Sequence, residues 1–183
     1  WGNPHDKRIL SVGSLKIQKN HELLIKAFKN VNDIVPSKLI IAGSGNQQDL
    51  LVRLTESLNL EERVIFPGFQ DNISIFYETA DLFVLSSDYE GFGNVLLEAL
   101  IHGLPIVSTD CKSGPAEILD NGKYGTLVPT QDLLSLSQAI ISSLNKTSHD
   151  LLSLRNRAHT FLPENISSEY LKILFPHDVT YYK

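Results

Sequence analysis

Two acids, Glu90 and Glu98, are separated by Gly91-Phe-Gly-Asn-Val-Leu-Leu97. The first opens a glycine turn, in which Gly91 and Gly93 bracket Phe92 and no regular element sits comfortably. The second lies in a run, Val95, Leu96, Leu97, Ala99, Leu100 and Ile101, that predicts a helix from Asn94, apolar on every side and therefore buried. A buried carboxylate is costly unless hydrogen-bond donors serve it. The start of that helix leaves the backbone N–H groups of Gly93, Asn94, Val95 and Leu96 free for an anion. A ligand with both phosphates and vicinal hydroxyls would satisfy both oddities, and a nucleotide sugar is such a ligand.

The elements that must position these groups alternate in type. Short apolar strands are expected at Arg8–Val12, Lys38–Ala42, Arg63–Phe66, Asp81–Leu85, Pro105–Ser108 and Gly125–Val128. Helical patterns fall near Asn20–Asn32, Gln47–Leu58, Ile73–Glu78, Asn94–His102, Ala116–Leu119 and Asp132–Leu144. In the first of these, Leu23, Leu24, Ala27, Phe28 and Val31 form one core face, and Lys26, Lys29 and Asn30 face water. The repeated β-α order predicts an α/β fold: a Rossmann-like, doubly wound parallel sheet of six strands with helices on both faces. Residues 1–148 would form this domain. Residues 149–183 would form a helical tail packing on it, with Leu151, Leu152, Leu154, Ala158 and Phe161 periodic and a last amphipathic piece from Pro163 to near Phe175.

The chain of 183 residues, 42% hydrophobic and 20% charged, suits one globular domain with a sizeable core. Its single cysteine, Cys111, excludes an intrachain disulfide framework and fits a reducing, cytoplasmic compartment. A net charge of −5 argues against an overall nucleic-acid binder. With no methionine and a start at Trp1-Gly-Asn-Pro4, the sequence reads as a piece cut from a longer protein.

The Glu-x7-Glu spacing, with Glu90-Gly-Phe-Gly93 and the following Gly103-Leu-Pro-Ile-Val107, resembles the signature of the retaining group 1 glycosyltransferases (family four). The likeness runs through Ser11-Val-Gly13, Lys19-Asn-His21, Ala42-Gly-Ser-Gly45, Val64-Ile-Phe-Pro-Gly68, Ala80-Asp81 and Gly125-Thr-Leu-Val-Pro129. It implies the C-terminal, donor-binding half of a GT-B enzyme that moves a sugar from a UDP- or GDP-sugar to a hydroxyl with retention. The resemblance also implies an N-terminal acceptor domain outside this sequence, a role in bacterial surface polysaccharide, and work on an acceptor that includes lipid-linked ones, at the inner face of the membrane. No cofactor besides the donor substrate is expected.

By the same resemblance, Lys19 is the cation that neutralises the leaving diphosphate, Glu90 reaches the hydroxyls of the sugar, and Glu98 accepts from the ribose diol. Gly91, Phe92, Gly93 and the N–H groups of Asn94, Val95 and Leu96 would approach the diphosphate through their backbone, beside Gly13 and Ser14. Ser14 stands where family members often carry Arg, which leaves the clamp one guanidinium short unless Lys16 substitutes as a point charge. Phe66 and Phe69 end the third strand, where family members hold the base; as plain core aromatics they read equally well.

Other chemistries find less support. Gly43-Ser-Gly45 lacks the third glycine of a dinucleotide fingerprint, so a nicotinamide cofactor does not fit and the turn is expected to border the donor cleft. Asp88-Tyr-Glu90 is compatible with a metal-binding carboxylate pair, but the second acid opens a helix that already supplies positive character, so no metal is expected. The six histidines show no ligand spacing; His21 and His102 read as structural, at the start and end of helices. Cys111 has no evident activating partner. Two alternatives stay open: a nucleotide-sugar epimerase of the same architecture, and a non-catalytic module that binds nucleotide sugars.

Overall fold

A computed structural model describes Trp1 and residues 3–167. The tail segment expected to end near Phe175 lies mostly outside the described residues; 163–167 are helical where description stops. Six strands form one parallel sheet: β1 (Lys7–Val12), β2 (Ser37–Ala42), β3 (Val64–Ile65), β4 (Leu82–Leu85), β5 (Ile106–Thr109) and β6 (Thr126–Val128). Their order across the sheet is β3-β2-β1-β4-β5-β6. All the pairings are parallel, with Ile9 opposite Leu39 on one side and opposite Leu82 on the other. Because successive side chains point to opposite faces, each central strand feeds two cores. Ile9, Leu39, Ile41, Leu82, Val84 and Val107 face one layer, whereas Leu10, Ile40, Phe83, Leu85 and Ile106 face the other.

The first layer is covered by α1 (His21–Asn32), α2 (Gln48–Ser57) and α6 (Leu133–Leu144), which bring Leu24, Phe28, Leu51 and Ile140 onto it. The second is covered by α3 (Ser74–Thr79), α4 (Asn94–Ile101), α5 (Pro115–Ile118) and α7 (Leu151–His159). Helix starts are locally encoded. Asn20 caps α1 by accepting from the Leu23 N–H at 3.1 Å, and Asp132 and Asp150 do the same for α6 and α7.

Three expectations need correction. The third strand is only two residues long, and Phe66 falls outside it. Helix α4 is not buried all round: Asn94 is exposed, Val95, Leu97 and Glu98 are half-buried, and Ile101 is 55% exposed. Its inner side, Leu96, Ala99 and Leu100, packs on the sheet and on α7, while the other side borders a cleft and solvent. Among the described residues of the tail only Leu154 and Ala158 are buried, with Phe161 half-buried; Leu151 and Leu152 face outward because α7 offers one narrow stripe to α4.

The strand order reverses direction between β1 and β4. In an open parallel sheet the crevice beyond the carboxyl ends at such a point is where loops diverge and leave room for a ligand. Gly13–Lys19 follows β1 and Ser86–Gly93 follows β4, so the two loops with the chemically interesting residues leave the sheet side by side.

Candidate functional site

The loop after β1 ends in a 3-10 turn, Ile17–Lys19, before α1 begins. This turn is tied to the loop after β4 at several points. The Ser86 hydroxyl donates to the Lys19 carbonyl at 2.9 Å, the Asp88 N–H donates to the Gln18 carbonyl at 2.9 Å, and Asn20 Nδ2 donates to Asp88 Oδ1 at 3.0 Å. From β5, the Thr109 hydroxyl donates to the Ser87 carbonyl at 2.6 Å. Asn20 adopts a left-handed conformation (φ 45°), which lets one side chain cap α1 and also hold Asp88.

Within this frame Lys19 and Glu90 meet. Lys19 Nζ donates to Glu90 Oε1 at 2.6 Å, and the Ser87 hydroxyl donates to the same oxygen at 2.6 Å. The side chains are only 13% and 6% exposed, so neither is a solvated loop charge. An ammonium has three donors and a carboxylate two oxygens. One donor of Lys19 and one oxygen of Glu90 are committed to each other. Glu90 Oε2 has no hydrogen-bond partner among the described residues yet is not sealed from solvent. The stem of Lys19 runs against Gly13, where an added Cβ would lie 3.4 Å from Cε.

Glu98 is half-buried, and its partner is a neutral group. The Tyr77 hydroxyl, from α3, donates to Glu98 Oε2 at 2.8 Å. Burial and the neighbouring carboxylate push the Tyr77 phenol above its ordinary range, so it remains a donor throughout physiological pH. Tyr77 stacks on Phe83 of the core and on His102 at the end of α4, which fixes its direction. Glu98 Oε1 has no partner among the described residues and is not sealed from solvent, and Glu98 lines a cleft of about 470 Å³ that also takes in Gly13, Ser14, Val95, Phe69 and Gln70. In the adjoining turn Gly93 is buried with φ +92°, a conformation that favours glycine, while Gly91 is exposed and no side chain lies within 4 Å of its Cβ position.

The structure thus brings Gly13, Ser14, Val95 and Glu98 to one cleft, with Lys19 beside Gly13. Glu90, Gly91, Phe92, Gly93 and Asn94 form the adjoining loop. Three refinements follow. The Leu96 N–H is not free, since it donates to the Gly93 carbonyl at 2.8 Å; those of Gly93, Asn94 and Val95 have no acceptor among the described residues. Phe66 and Phe69 separate: Phe66 packs on the core, whereas Phe69 is 73% exposed at the cleft. Lys16 does not join Lys19; it is exposed and lines a different hollow with Asn20, His21 and Asp88.

Gly43-Ser-Gly45 has a packing reason. Cβ atoms there would come within 1.9 Å of the Gly13 carbonyl oxygen and 2.3 Å of the Leu15 carbonyl oxygen, so the glycines let the β2 turn press on the β1 loop. Gly43 and Ser44 also line the cleft. His21 begins α1 and is buried, and its Nδ1 has no partner among the described residues. Burial first, and the Lys19 charge second, push this imidazole down to about 4. Burial and the nearby Glu90 push the Cys111 thiol up to about 11, which leaves it protonated and unreactive at neutral pH. Among the described residues no three His, Cys, Asp or Glu side chains cluster as metal ligands would, and no helix is long and apolar enough to cross a membrane.

Sequence reasoning missed Tyr77 and Ser87. Tyr77 lies 21 positions before its partner in a short amphipathic helix, where an aromatic residue reads as core. Only the packing of α3 on α4 brings the hydroxyl to Glu98. Ser87 was legible in part, since Ser86-Ser87 marks the break after β4.

A doubly wound sheet with this strand order and a glycine-bounded, charged cleft at its switch point is a Rossmann-like domain of the kind that builds GT-B glycosyltransferases. The profile of the glycosyl transferases group 1 family matches residues 2–161, and the chain belongs to that family. It is 40% identical over 139 residues to the Campylobacter jejuni N-acetylgalactosamine-N,N'-diacetylbacillosaminyl-diphospho-undecaprenol 4-alpha-N-acetylgalactosaminyltransferase, covering 76% of this chain and 38% of that protein. Its fold matches a mutant of S. aureus TarM, solved with fondaparinux, alpha-GlcNAc-glycerol and UDP, at a TM-score of 0.84 and 24% identity, covering 93% of this chain and 36% of that one. It also matches Anabaena HepE, solved with UDP and glucose, at 0.79 and 24% identity, covering 93% and 48%. The chain therefore spans well under two thirds of the length of each.

Proposed function

We propose that this chain holds the nucleotide diphosphate sugar donor of a retaining glycosyltransferase, whose acceptor binds chiefly to another domain of the full protein. The observation that carries this reading is the pairing at the switch point of Glu98, which lines the cleft and has one oxygen without a partner, with the N–H groups of Gly93, Asn94 and Val95, which have no acceptor among the described residues. A carboxylate oxygen suits a ribose hydroxyl, and a helix start suits a phosphate. Relatives support the donor class: the TarM and HepE structures contain UDP. The Campylobacter relative, a glycosyltransferase named for a diphospho-undecaprenol acceptor, supports a lipid-linked acceptor, and an Erwinia amylovora relative named for amylovoran biosynthesis supports a polysaccharide-type product.

In this reading Lys19 keeps Glu90 through one N–H and offers the others to the departing diphosphate. The helix start of α4 adds a fixed partial positive charge, and together they stabilise the charge that grows as the glycosidic bond to the nucleotide breaks. Glu90 Oε2 positions a hydroxyl of the sugar. Among the described residues no side chain is placed as a covalent nucleophile; in this reading the acceptor hydroxyl attacks from the face that the diphosphate leaves, and retention follows. The positive groups take the place of a divalent cation.

The test is calorimetric titration of the chain with UDP, GDP and a matching nucleotide sugar, with and without EDTA. Binding is expected for one base, unaltered by chelation. Glu98→Gln, which presents an amide to the ribose, is expected to weaken free nucleotide and nucleotide sugar alike by roughly 10-fold or more. Glu90→Gln is expected to weaken only the nucleotide sugar. Loss of binding on chelation, or no response to Glu98→Gln, would overturn the reading.

A further inference from the structure

Phe92, the middle residue of the glycine turn, is gripped from two sides by residues that do not line the cleft. Gly114, which starts α5, presses on its backbone: a Cβ at Gly114 would lie 1.8 Å from the Phe92 carbonyl oxygen. Phe161, just beyond α7, meets the Phe92 ring edge-on with centroids 5.9 Å apart. Phe161 is in turn held by Arg157, whose guanidinium sits 4.7 Å over its ring and 5.5 Å from the Tyr124 ring. The same guanidinium donates to the Ile118 carbonyl at 2.9 Å and to the Glu117 carbonyl at 2.5 Å, at the end of α5. The cation completes the end of the four-residue helix: it serves the Ile118 carbonyl and shares the Glu117 carbonyl with the Asp120 N–H, which donates at 3.3 Å.

We propose that Arg157 and Phe161 are positioning residues for the donor site: through Phe92 they hold the Gly91–Gly93 turn so that the N–H groups of Gly93, Asn94 and Val95 converge on the diphosphate. The turn needs an external brace. Gly91 and Gly93 carry no side chains to pack, and glycine has the most backbone freedom to lose. Phe92 is the one residue of the turn with an apolar anchor; it packs on the second core layer, and the ring it meets edge-on comes from the tail. The short α5 moves with this brace, because Arg157 joins its last carbonyls to Phe161 while its first residue abuts Phe92. An untethered turn would still bind a phosphate, but it would have to be ordered each time, which weakens affinity without removing any contact.

The inference rests on the donor-binding reading, and the experiment separates the two. The full chain is compared as wild type, Phe161→Ala, Phe161→Leu and Arg157→Lys, by calorimetry with UDP and GDP, by thermal unfolding, and by amide hydrogen exchange without ligand. Phe161→Ala is expected to weaken nucleotide binding about three- to tenfold. It should speed exchange at Gly91–Val95 relative to Gly13 and the α1 amides. Phe161→Leu, which keeps apolar contact with Phe92, should recover most of both effects. Arg157→Lys keeps the charge and loses the planar stack and the paired donors, and should fall between. A lower melting temperature in Phe161→Ala with wild-type affinity and unchanged exchange in the turn would overturn the inference. If no form binds a nucleoside diphosphate, the donor reading fails, and faster exchange confined to the turn still decides whether the tail braces it.

Discussion

Lys19→Ala should cost far more stability than removing a surface lysine, and its cost should shrink when Glu90 is neutralised as well. The carboxylate of Glu90 is 6% exposed and takes its two hydrogen bonds from Lys19 and Ser87. Taking away one partner of a buried ion pair costs ~3–5 kcal/mol, because the other charge stays behind uncompensated. Here the Ser87 hydroxyl remains and Lys19 keeps 13% exposure, so we expect about 2–4 kcal/mol. For a domain of this size each kcal/mol lowers Tm by roughly 2–4 °C. Glu90→Gln retains an acceptor for both donors and should cost only ~1–2 kcal/mol. The double variant Lys19→Ala/Glu90→Gln leaves no buried charge, so its cost should fall short of the sum by about 1–3 kcal/mol. Urea unfolding of the four proteins, followed by circular dichroism, measures that coupling. Additivity within ~0.5 kcal/mol would show that the pair is not coupled in solution, and that the Lys19 ammonium is not anchored where the proposed chemistry needs it.

Tyr77→Phe keeps the ring that stacks on Phe83 and His102 but removes the donor to Glu98. Nucleotide affinity should fall about three- to tenfold as the half-buried carboxylate loses its fixed direction, with Tm almost unchanged; unaltered affinity in calorimetry would deny Tyr77 a part in the site. His21 is held neutral by burial, with its pKa pushed from 6.5 to about 4. Its contribution is therefore full above pH 6.5 and is lost as pH falls towards 4, because the unfolded chain takes up a proton that the native imidazole refuses. The stability advantage of wild type over His21→Asn should shrink by up to about 3 kcal/mol across that window. Urea midpoints of the two proteins that run parallel from pH 7 to 4 would refute it.

The six strands and six of the helices were legible because a parallel sheet buried on both faces demands unbroken apolar runs, and glycine and proline punctuate them. Glu98 was legible as an acid in an apolar helix, but its surroundings were not. Periodicity alone cannot say that the Val95–Glu98 side of α4 borders a cleft, since apolar residues line ligand pockets as readily as cores. The Lys19–Glu90 contact was equally hidden. The two residues are 71 positions apart, and they meet only because β1 and β4 are neighbours, a fact of strand order and not of local sequence. Phe66 and Phe69 show the same limit at short range. Two aromatics three residues apart parted company when β3 ended early, one going to the core and the other to the cleft.

Helix α4 also gives the proposed ligand a direction. The end proposed to bind phosphate is at Gly93–Val95, and a rise of 1.5 Å per residue puts the Glu98 backbone about 6 Å further along the axis than Asn94. That distance is comparable to the span from a diphosphate to the ribose it esterifies. The nucleotide would then lie along the first turn of the helix, with its base pointing past Glu98 to the exposed Phe69 and its sugar turned back towards Glu90. Charge supports this order. Glu98 is partnered by the neutral hydroxyl of Tyr77 and not by a cation, an environment that suits ribose hydroxyls better than phosphate. Glu90 carries its own counter-ion, so it can stand next to the diphosphate end without repelling it. The two acids are not interchangeable, and the difference between them lies in their partners, one a phenol and the other an ammonium.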